Sequence, residues 1–435
     1  MTLFSKRYFV FVVIIIVAIF SQTSPILAVY YPDMVYAPKI EIFPGVTWQT
    51  ATNANPTWSI QIIEVEMTNR NVEVVPVFKS AGNVSGSSNE RTSSMATRSD
   101  GIAAINGGYY NTTTYMTNSY TEIDGFYIGG GESNRSVLGF SGNHQAIAKR
   151  TKLSSSFVPD DPTDWEKIVD AMGGRGHFVT ADGVLIVQDN EGTTSSHYGL
   201  RNPRTAIGYT TNPYKSYLVT VDGRQDGFSV GMTYTELAQL MADLGIEQSI
   251  SLDGGGSTTA WIKGEGIVNS PSGGSERSVV NAWVVIPANT MDNTTEEVTI
   301  AGIWNPDTTH PEKYYLDHLV TDNTVGSATV TWTPILGQNG CYKVYAWWTA
   351  DASRATDVPY QIVHAEGTST VYVNQTTNGG KWNMLGTYNF KAGSKGFCTL
   401  INTAIGTVSA DAIRFVWVNT YTPPPTAVEY WFYCE

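Results

Sequence analysis

A short segment that combines a carboxylate, three glycines and several hydroxyl groups is the strongest candidate for chemistry in this chain. Residues 249–259 read as an apolar strand that runs into Asp253, three consecutive glycines and three hydroxyl residues. Glycine has no Cβ, so such a turn allows backbone N–H groups to approach a ligand closely. Glu276 and Arg277 follow downstream and add a second carboxylate and a cation. The segment therefore predicts a site for chemistry on an anionic substrate.

An amide and an aromatic ring are predicted at a second strand end. The apolar run 101–105 breaks at Asn106-Gly-Gly, which would bring the Asn106 amide and the Tyr109 ring to a sheet edge. A hairpin turn with a packed tyrosine is the structural alternative. His177, beside another predicted strand, is a weaker candidate because a lone histidine is more often structural.

Two arginines also lie at predicted strand ends. Arg204 begins the run 204–208, whereas Asp222 and Arg224 follow the strand 217–221. A calcium loop at Asp222 is poorly supported because the other oxygen ligands are missing. Ordinary surface arginines are the alternative to a site that holds an anion.

Together these residues favour one kind of reaction over others. Carboxylates beside arginines suit cleavage of a glycosidic bond whose leaving group is already an anion, because a phosphate needs charge stabilisation more than a strong acid. No Gly-x-Ser-x-Gly motif is present, and Ser257 has no evident base, so a serine hydrolase is disfavoured. No histidine or carboxylate cluster has metal-ligand spacing. We therefore predict neither a metal nor a cofactor.

Composition and the N-terminus indicate an exported protein. The net charge of −13 without basic blocks disfavours nucleic acid or an anionic membrane as a partner. Lys6-Arg7, an apolar run and small residues up to Ala28 form the pattern of a secretory signal over residues 1–28. Three cysteines, Cys341, Cys398 and Cys434, allow three pairings, and the sequence does not choose among them.

The arrangement of predicted strands and helices indicates two folded domains. We predict an α+β fold: a β-rich catalytic domain with few helices over 29–286, a linker over 287–297, an all-β, jelly-roll-like sandwich over 298–418 and a tail over 419–435. The clearest helix begins with the capping-box pattern Thr233–Glu236 and ends near Gly245. The sandwich is indicated by many short alternating strands with Gly and Asn turns.

The first domain resembles the phosphodiester glycosidase family, whose namesake uncovers mannose 6-phosphate by removing N-acetylglucosamine from a phosphodiester. The resemblance rests on residues 252–260 and 268–282, together with Ala104–Tyr110, Pro203–Gly208, Val221–Arg224 and the helix containing Glu236, in the family's order. Ser278 departs from the pattern, because many relatives have proline there. The second domain resembles the golvesin or xanthan-lyase type C-terminal domain in Gly340–Trp348, Arg354–Tyr360, residues 373–386 and Ala410–Phe415.

The resemblance implies a secreted hydrolase that cleaves a sugar 1-phosphodiester or a related extracellular glycan. Asp253 and Glu276 would then be the acid/base or nucleophilic carboxylates, with their division of labour open. The residues predicted to bind substrate are Asn106, Tyr109, Arg204, Asp222, Arg224, Gly254, Gly255, Gly256, Ser257 and Arg277. Of these, the three arginines would hold the phosphate, the glycine turn would lend N–H donors, and Asn106 and Tyr109 would position the sugar.

Two other functions stay open on the sequence. One is a non-catalytic carbohydrate-binding or surface protein that retains the scaffold. The other is a glycosidase that acts on non-phosphorylated polysaccharide. The expected partner is in each case a sugar phosphodiester or polysaccharide, without membrane association after signal cleavage, and the sequence does not predict an oligomeric state.

Overall fold

The computed structural model describes residues 33–79, 88–130, 135–142, 144–153, 157–159, 168–181, 184–188, 191, 198–322, 328–403 and 405–420. The predicted signal sequence over 1–28 and most of the predicted tail over 419–435 lie outside these residues. No helix within the described ranges is long and apolar enough to cross a membrane.

The described chain is mainly β, with two α-helices, which confirms a β-rich fold with few helices. The helices are α1 (Thr92–Arg98) and α2 (Tyr234–Asp243), and a 3-10 turn covers Gly255–Ser257. The strands up to residue 286 are β1 (Val35–Tyr36), β2 (Ile40–Phe43), β3 (Val46–Ala54), β4 (Thr57–Glu66), β5 (Glu73–Phe78), β6 (Glu90–Arg91), β7 (Ala103–Asn106), β8 (Thr121–Ile123), β9 (Phe126–Gly129), β10 (Ser136–Ser141), β11 (Ala146–Leu153), β12 (Phe157–Pro159), β13 (Ile168–Gly173), β14 (Arg175–Ala181), β15 (Val184–Gln188), β16 (Arg204–Thr211), β17 (Tyr214–Val221), β18 (Gln248–Ser251), β19 (Ala260–Ile262), β20 (Gly266–Ile267), β21 (Ser278–Val279) and β22 (Asn281–Ile286). The later strands are β23 (Ala288–Asp292), β24 (Val298–Ala301), β25 (Asn305–Asp307), β26 (His318–Thr321), β27 (Thr329–Trp332), β28 (Gly340–Trp347), β29 (Val358–His364), β30 (Gly367–Val373), β31 (Asn383–Phe390), β32 (Phe397–Ile401), β33 (Val408–Ala410) and β34 (Ala412–Asn419).

Residues 33–286, the first unit, are built on two facing antiparallel sheets. The larger sheet has the order β1-β3-β4-β17-β16-β18-β14-β15, with β2 also paired to β3, and the smaller has the order β20-β19-β7-β22-β5. Apolar side chains from both sheets, such as Ile63, Ile105, Ile250 and Trp283, share one core. A third sheet, β12-β11-β10-β13-β8-β9, adds Leu138 to that core.

A helix covers the outer face of each of the two facing sheets. Leu237 and Met241 of α2 pack with Ile60 and Val219 of the larger sheet, and α1 packs against the smaller sheet through Met95. Helix α2 starts where predicted, because the Thr233 side chain accepts from the Glu236 N–H while Glu236 reaches back to the Thr233 N–H. Burial of each apolar α2 side chain is worth about 2–5 kcal/mol against truncation to alanine.

Residues 288–419, the second unit, form two antiparallel sheets with a shared core. The sheet β23-β34-β28-β31 faces the sheet β24-β27-β32-β29-β30, and a small sheet joins β25, β26 and β33. Trp332, Val344, Tyr360 and Phe415 fill the space between the two larger sheets. Cys341 and Cys398 are both free thiols. Of the three possible cysteine pairings, Cys341–Cys398 is therefore not formed.

The linker predicted over residues 287–297 is corrected by the structure. Strand β23 occupies residues 288–292 of it and pairs along its whole length with β34, with Ala288 opposite Val416 and Asp292 opposite Ala412. The polar composition suggested an exposed connection. Polar residues of this segment are instead buried in the sheet, including Asn289 and Thr290. The second unit therefore begins directly after β22.

An arginine of the second unit joins it to acidic residues of the first. Arg414 Nη2 lies 3.5 Å from Glu73 and 3.3 Å from Asp124, and its guanidinium stacks 4.2 Å from the Trp382 ring centroid. The indole Nε1 of Trp382 donates to Asp124 at 2.9 Å. The acidic neighbours raise the pKa of Arg414, although burial alone would lower it. Breaking such a buried pair leaves uncompensated charges in the interface.

We expect Arg414→Met to lower the free energy of unfolding by about 3–5 kcal/mol, because the buried carboxylates lose their cation. Lys343→Met is the matched control, since its contact with Asp100 at 2.5 Å is a partly exposed ion pair between the same two units. That control should cost about 1 kcal/mol or less. Urea denaturation measures the free energy of unfolding of both variants. Equal losses would contradict the proposed importance of the Arg414 cluster, which consists of Arg414, Glu73, Asp124 and Trp382.

Candidate functional site

Several strands of the facing sheets end or begin at one edge, and this brings the predicted residues together. Strand β18 ends two residues before Asp253, β7 ends at Asn106, and β16 begins at Arg204. Ser251 lies opposite both Ala206 of β16 and Arg175 of β14 in the sheet register. The candidate site is therefore built on strand ends from both sheets.

The Asn106 side chain is the link between these strand ends. Its Nδ2 donates to the Asp253 carbonyl oxygen at 2.7 Å, and its Oδ1 accepts from Thr205 Oγ1 at 2.8 Å and the Thr259 N–H at 3.1 Å. The residue is fully buried. These bonds hold the Asp253 turn against β7 and β16. Asn106 therefore does not present its amide to a ligand, which differs from the predicted sugar contact.

The N–H groups of the glycine turn are largely used inside the protein. Gly255 N–H donates to the Pro203 carbonyl oxygen at 2.9 Å, and Ser257 N–H donates to the Gly254 carbonyl oxygen at 3.2 Å. Gly254 N–H interacts with the Asp253 carboxyl group itself. The prediction that this turn lends several N–H donors to an anion therefore does not match its hydrogen bonds.

The glycines instead make room for two guanidinium groups. A Cβ built on Gly256 would lie 2.2 Å from Arg277 Nη2, and a Cβ on Gly255 would lie 3.1 Å from Arg224 Nη2. Gly255 also has φ +62°, which favours glycine. Arg224 and Arg277 therefore both lie against the turn that follows Asp253.

Neither of these guanidiniums forms an ion pair with a carboxylate among the described residues. Arg224 donates to Asn202 Oδ1, at 3.1 Å from Nε and 2.9 Å from Nη2, and Arg277 interacts with Tyr110. Arg224 also has φ +60°, a left-handed conformation that costs a non-glycine residue on the order of 1–2 kcal/mol. Strain of this kind clusters at functional sites.

Arg204 has a different environment from the other two predicted arginines. It is buried, it donates to the carbonyl oxygens of Met232 at 2.7 Å and Leu200 at 2.8 Å, and it stacks 4.4 Å from the Tyr234 ring centroid. Burial lowers its pKa. The geometry makes Arg204 a support for Tyr234.

Tyr109 extends this stack toward Asp253. Its hydroxyl lies 2.9 Å from that of Tyr234, and the Arg175 guanidinium lies 4.8 Å from its ring centroid. Burial, followed by the charges of Tyr234 and Asp253, raises the pKa of Tyr109 well above its usual value. The phenol is therefore a neutral hydrogen-bonding group at pH 7.

The Asp253 carboxyl group has an unusual pKa. Burial raises it to about 6, against the opposing effects of the Ser257 hydroxyl, the Arg277 charge, the Gly254 N–H and the Arg175 charge. Tyr110 lies close by, since the Ser257 and Arg277 side chains interact with its hydroxyl. Burial, followed by the Asp253 charge, raises the pKa of Tyr110. A carboxyl group that titrates near neutrality can exchange protons during a reaction.

Glu276 does not share a hydrogen bond or ion pair with Asp253 among the described residues. Its carboxylate accepts from the backbone N–H of Ser93 at 3.2 Å and from the Ser93 hydroxyl. These contacts place a negative charge in the first turn of α1, whose N-cap residue has no capping side chain of its own. Glu276 therefore connects the Arg277 loop to α1.

Asp222 is a buried anchor for a neighbouring loop. Its Oδ1 accepts from Asn269 Nδ2 at 3.0 Å and from the Ser270 N–H at 2.8 Å, and its Oδ2 accepts from Ser59 Oγ at 3.0 Å. Burial raises its pKa, although these hydrogen bonds oppose the rise. His177 pairs with Gln248 at 3.1 Å on the next strand, which accounts for it structurally.

Three side chains near Asp253 were missed by the sequence reasoning. They are Tyr110, Arg175 and Tyr234. A signal was available for Arg175, which follows Gly-Gly at the start of a predicted strand, and for Tyr110, which is adjacent to Tyr109 at the same strand end. Tyr234 opens α2 and offered no signal, because its contact with Tyr109 joins distant parts of the chain.

Comparison with known families now assigns both units. Residues 99–286 match the family described as phosphodiester glycosidase, and residues 289–417 match the golvesin C-terminal domain. The chain therefore carries a phosphodiester glycosidase domain followed by a golvesin C-terminal domain, which confirms the resemblance read from the sequence.

Among curated proteins, xanthan lyase of Bacillus sp. (strain GL1) is 39% identical over 140 residues, covering 31% of this chain and 15% of that protein. The SPbeta prophage-derived uncharacterized protein YomE of Bacillus subtilis (strain 168) is 32% identical over 123 residues, covering 27% of this chain and 18% of that protein. The matches thus span less than a fifth of either relative.

Two solved structures resemble the chain over more than half its length. The catalytic domain of zebrafish N-acetylglucosamine-1-phosphodiester alpha-N-acetylglucosaminidase, auto-inhibited by its pro-peptide, is 21% identical, with 58% of this chain and 83% of that chain covered and a TM-score of 0.44. A hypothetical protein from Synechocystis is 16% identical, with 57% and 64% covered and a TM-score of 0.46.

The environment of Asp253 predicts a measurable titration. We expect its carboxyl carbon to titrate with a pKa of about 6 in ¹³C NMR spectra of the protein labelled at aspartate. Arg277→Met should raise that pKa, because the removed positive charge favours the ionised carboxylate. Arg201→Met, which removes an arginine paired with Glu236 at 2.5 Å, is the control and should leave it unchanged. A pKa near 4 in the wild-type protein would contradict the described environment.

Proposed function

We propose that this protein is an exported hydrolase that cleaves the glycosidic bond of a sugar 1-phosphodiester in an extracellular glycan. The observation that carries the proposal is the pair formed by Arg224 and Arg277. Both guanidiniums lie against the turn after Asp253, and neither has a carboxylate partner among the described residues. The family match of residues 99–286 supports the same reaction.

The charge distribution favours a phosphate over a neutral group at this position. Guanidiniums present planar pairs of donors that match phosphate oxygens. The chain as a whole has a net charge of −13, so an anionic substrate depends on local cations for binding. Two guanidiniums without a carboxylate partner provide that local charge beside the Asp253 carboxyl group.

In the proposed reaction Asp253 acts as an ionised carboxylate. It either attacks the anomeric carbon or takes a proton from the water that does so, and the sugar–oxygen bond breaks toward the phosphate. If Asp253 attacks, water then hydrolyses the glycosyl ester on Asp253. By either route the products are the free sugar and a phosphate monoester, whose charge Arg224 and Arg277 stabilise. Tyr109 and Tyr110 supply neutral hydroxyls that can contact the sugar.

The other predicted residues are proposed to position this group. Asn106 holds the Asp253 turn, Arg204 supports the Tyr234–Tyr109 pair, and Asp222 anchors the loop at Ser270. Glu276 is proposed to fix the loop that carries Arg277, through its contacts with Ser93, and not to react directly.

Export and the domain scheme belong to the same proposal. The basic and apolar pattern of residues 1–28 supports secretion, and the similarity to a xanthan lyase is consistent with a glycan outside the cell. We also propose jelly-roll connectivity for the second unit. Its support is that the chain passes repeatedly between the two sheets from β27 to β32, with β28 and β31 in one sheet and β27, β29, β30 and β32 in the other.

Three test substrates are the methyl esters of N-acetyl-α-glucosamine 1-phosphate, α-glucose 1-phosphate and α-mannose 1-phosphate. Asp253→Asn should abolish the release of free sugar from them. We expect at least a ~1,000-fold loss of kcat on the substrate that the wild type cleaves, because the variant lacks the reacting carboxylate. Glu276→Gln should lose about tenfold or less, since it acts through the Arg277 loop. Asp243→Asn, at the end of α2, is the matched control. Turnover by Asp253→Asn within about threefold of wild type would refute its assignment.

Arg224→Met and Arg277→Met should distinguish phosphodiesters from neutral glycosides. Each should lower kcat/KM on the phosphodiester about 100-fold, because the developing phosphate charge loses a partner. If the wild type also cleaves the p-nitrophenyl glycoside of the same sugar, kcat/KM on that neutral substrate should differ by less than about threefold between each variant and the wild type. Arg201→Met serves as the control. Equal losses on both substrates would favour a glycosidase that acts on non-phosphorylated polysaccharide.

A further inference from the structure

A cavity of about 460 Å³ lies between the two units and contains none of the residues around Asp253. Its walls come from β5 and the hairpin β8–β9 of the first unit and from β28, β34 and Trp382 of the second. The volume is within the range of pockets that hold small ligands. Neither unit alone can form this cavity, which we call the interdomain cleft.

One wall of the interdomain cleft is aliphatic. Its members belong to two strands and a hairpin of the first unit and one strand of the second, and they are Val75, Val77, Ile123, Ile128, Ile286 and Val416. Pro76 lies within β5, an edge strand of its sheet, and has no N–H to donate to an added strand. The wall therefore offers apolar contact more readily than it offers pairing with a peptide.

Most of the charged residues of the cleft are paired with a residue of opposite charge. Three are basic and three are acidic, namely Lys79, Arg98, Arg414, Asp100, Asp124 and Asp170. Most already have partners, such as Arg414 with Asp124 at 3.3 Å and Lys343 with Asp100 at 2.5 Å. Because most of these charges are already paired, the cleft offers little free charge with which to attract an ion.

Two polar groups on the cleft have hydrogen-bonding capacity to spare. Asp170 is 5% exposed, and one of its oxygens accepts from the Asp124 N–H at 3.0 Å. Its other oxygen has no hydrogen-bond partner among the described residues, and neither does the Tyr345 hydroxyl. Burial and the nearby Asp124 charge raise the pKa of Asp170 well above its usual value, so it can donate as well as accept.

We propose that the interdomain cleft binds a neutral saccharide unit of a glycan, with the apolar ring face against the aliphatic wall and its hydroxyls on Asp170 and Tyr345. A neutral ligand follows from the paired charges, and a ligand rich in hydroxyls follows from the free hydrogen-bonding capacity of Asp170 and Tyr345. A long acyl chain fits poorly, because it would bury polar groups without hydrogen bonds. The Arg414 cluster holds the two walls in place before binding, which reduces the entropic cost.

The test is calorimetric titration of the mature full chain with cellobiose, mannobiose and chitobiose as neutral probes. Digalacturonic acid and a glucosamine dimer are the charged comparators. We expect one site per chain for at least one neutral disaccharide. Tyr345→Phe should weaken it about three- to tenfold, the effect of one lost hydrogen bond. Ile128→Trp, which places a bulky ring on the half-buried wall, should abolish binding.

Tyr372→Phe is the matched control, since it removes a phenol hydroxyl from an exposed strand of the same unit and should leave affinity unchanged. Thermal melting of each variant checks that it is folded. The proposal is overturned if no neutral disaccharide binds with a Kd below about 10 mM. Binding unchanged by Ile128→Trp, or a preference for either charged dimer, would also overturn it. None of these outcomes depends on the reaction proposed at Asp253.

Discussion

A single buried amide, that of Asn106, holds the candidate site together. It joins the end of β7, the start of β16 and the turn after β18 through three hydrogen bonds of 2.7–3.1 Å. Asn106, Thr205 and Thr259 are fully buried, so an unmade bond between them would leave a buried polar group unsatisfied. The position of Asp253 relative to both sheets therefore depends on one side chain that does not itself face a ligand.

The arrangement of charge around Asp253 follows from that fixed turn. Most N–H groups of the turn already have acceptors within the protein, and its missing Cβ atoms allow Arg224 and Arg277 to approach the backbone. The positive charge of the site is therefore carried by side chains and not by a backbone nest. Burial of Asp253 raises its pKa, while Arg277 limits the rise, so the carboxyl group titrates near pH 6.

The local features of the fold could be predicted from the sequence, and the partners of site side chains could not. The capping box at Thr233 and the strand ends at Asn106 and Arg204 depend on neighbouring residues and were predicted. The contact of Glu276 with Ser93 joins residues far apart in the chain, and so does the pairing of Tyr109 with Tyr234. The polar composition of residues 287–297 also misled, because β34 supplies backbone partners that allow those residues to be buried.

The most direct measurement is a crystal structure of Asp253→Asn with a bound sugar 1-phosphodiester. We expect the phosphate to lie between the guanidiniums of Arg224 and Arg277, above Gly255 and Gly256, with the anomeric carbon next to the side chain at position 253. A phosphate that contacts neither arginine, or a sugar bound away from this turn, would contradict it.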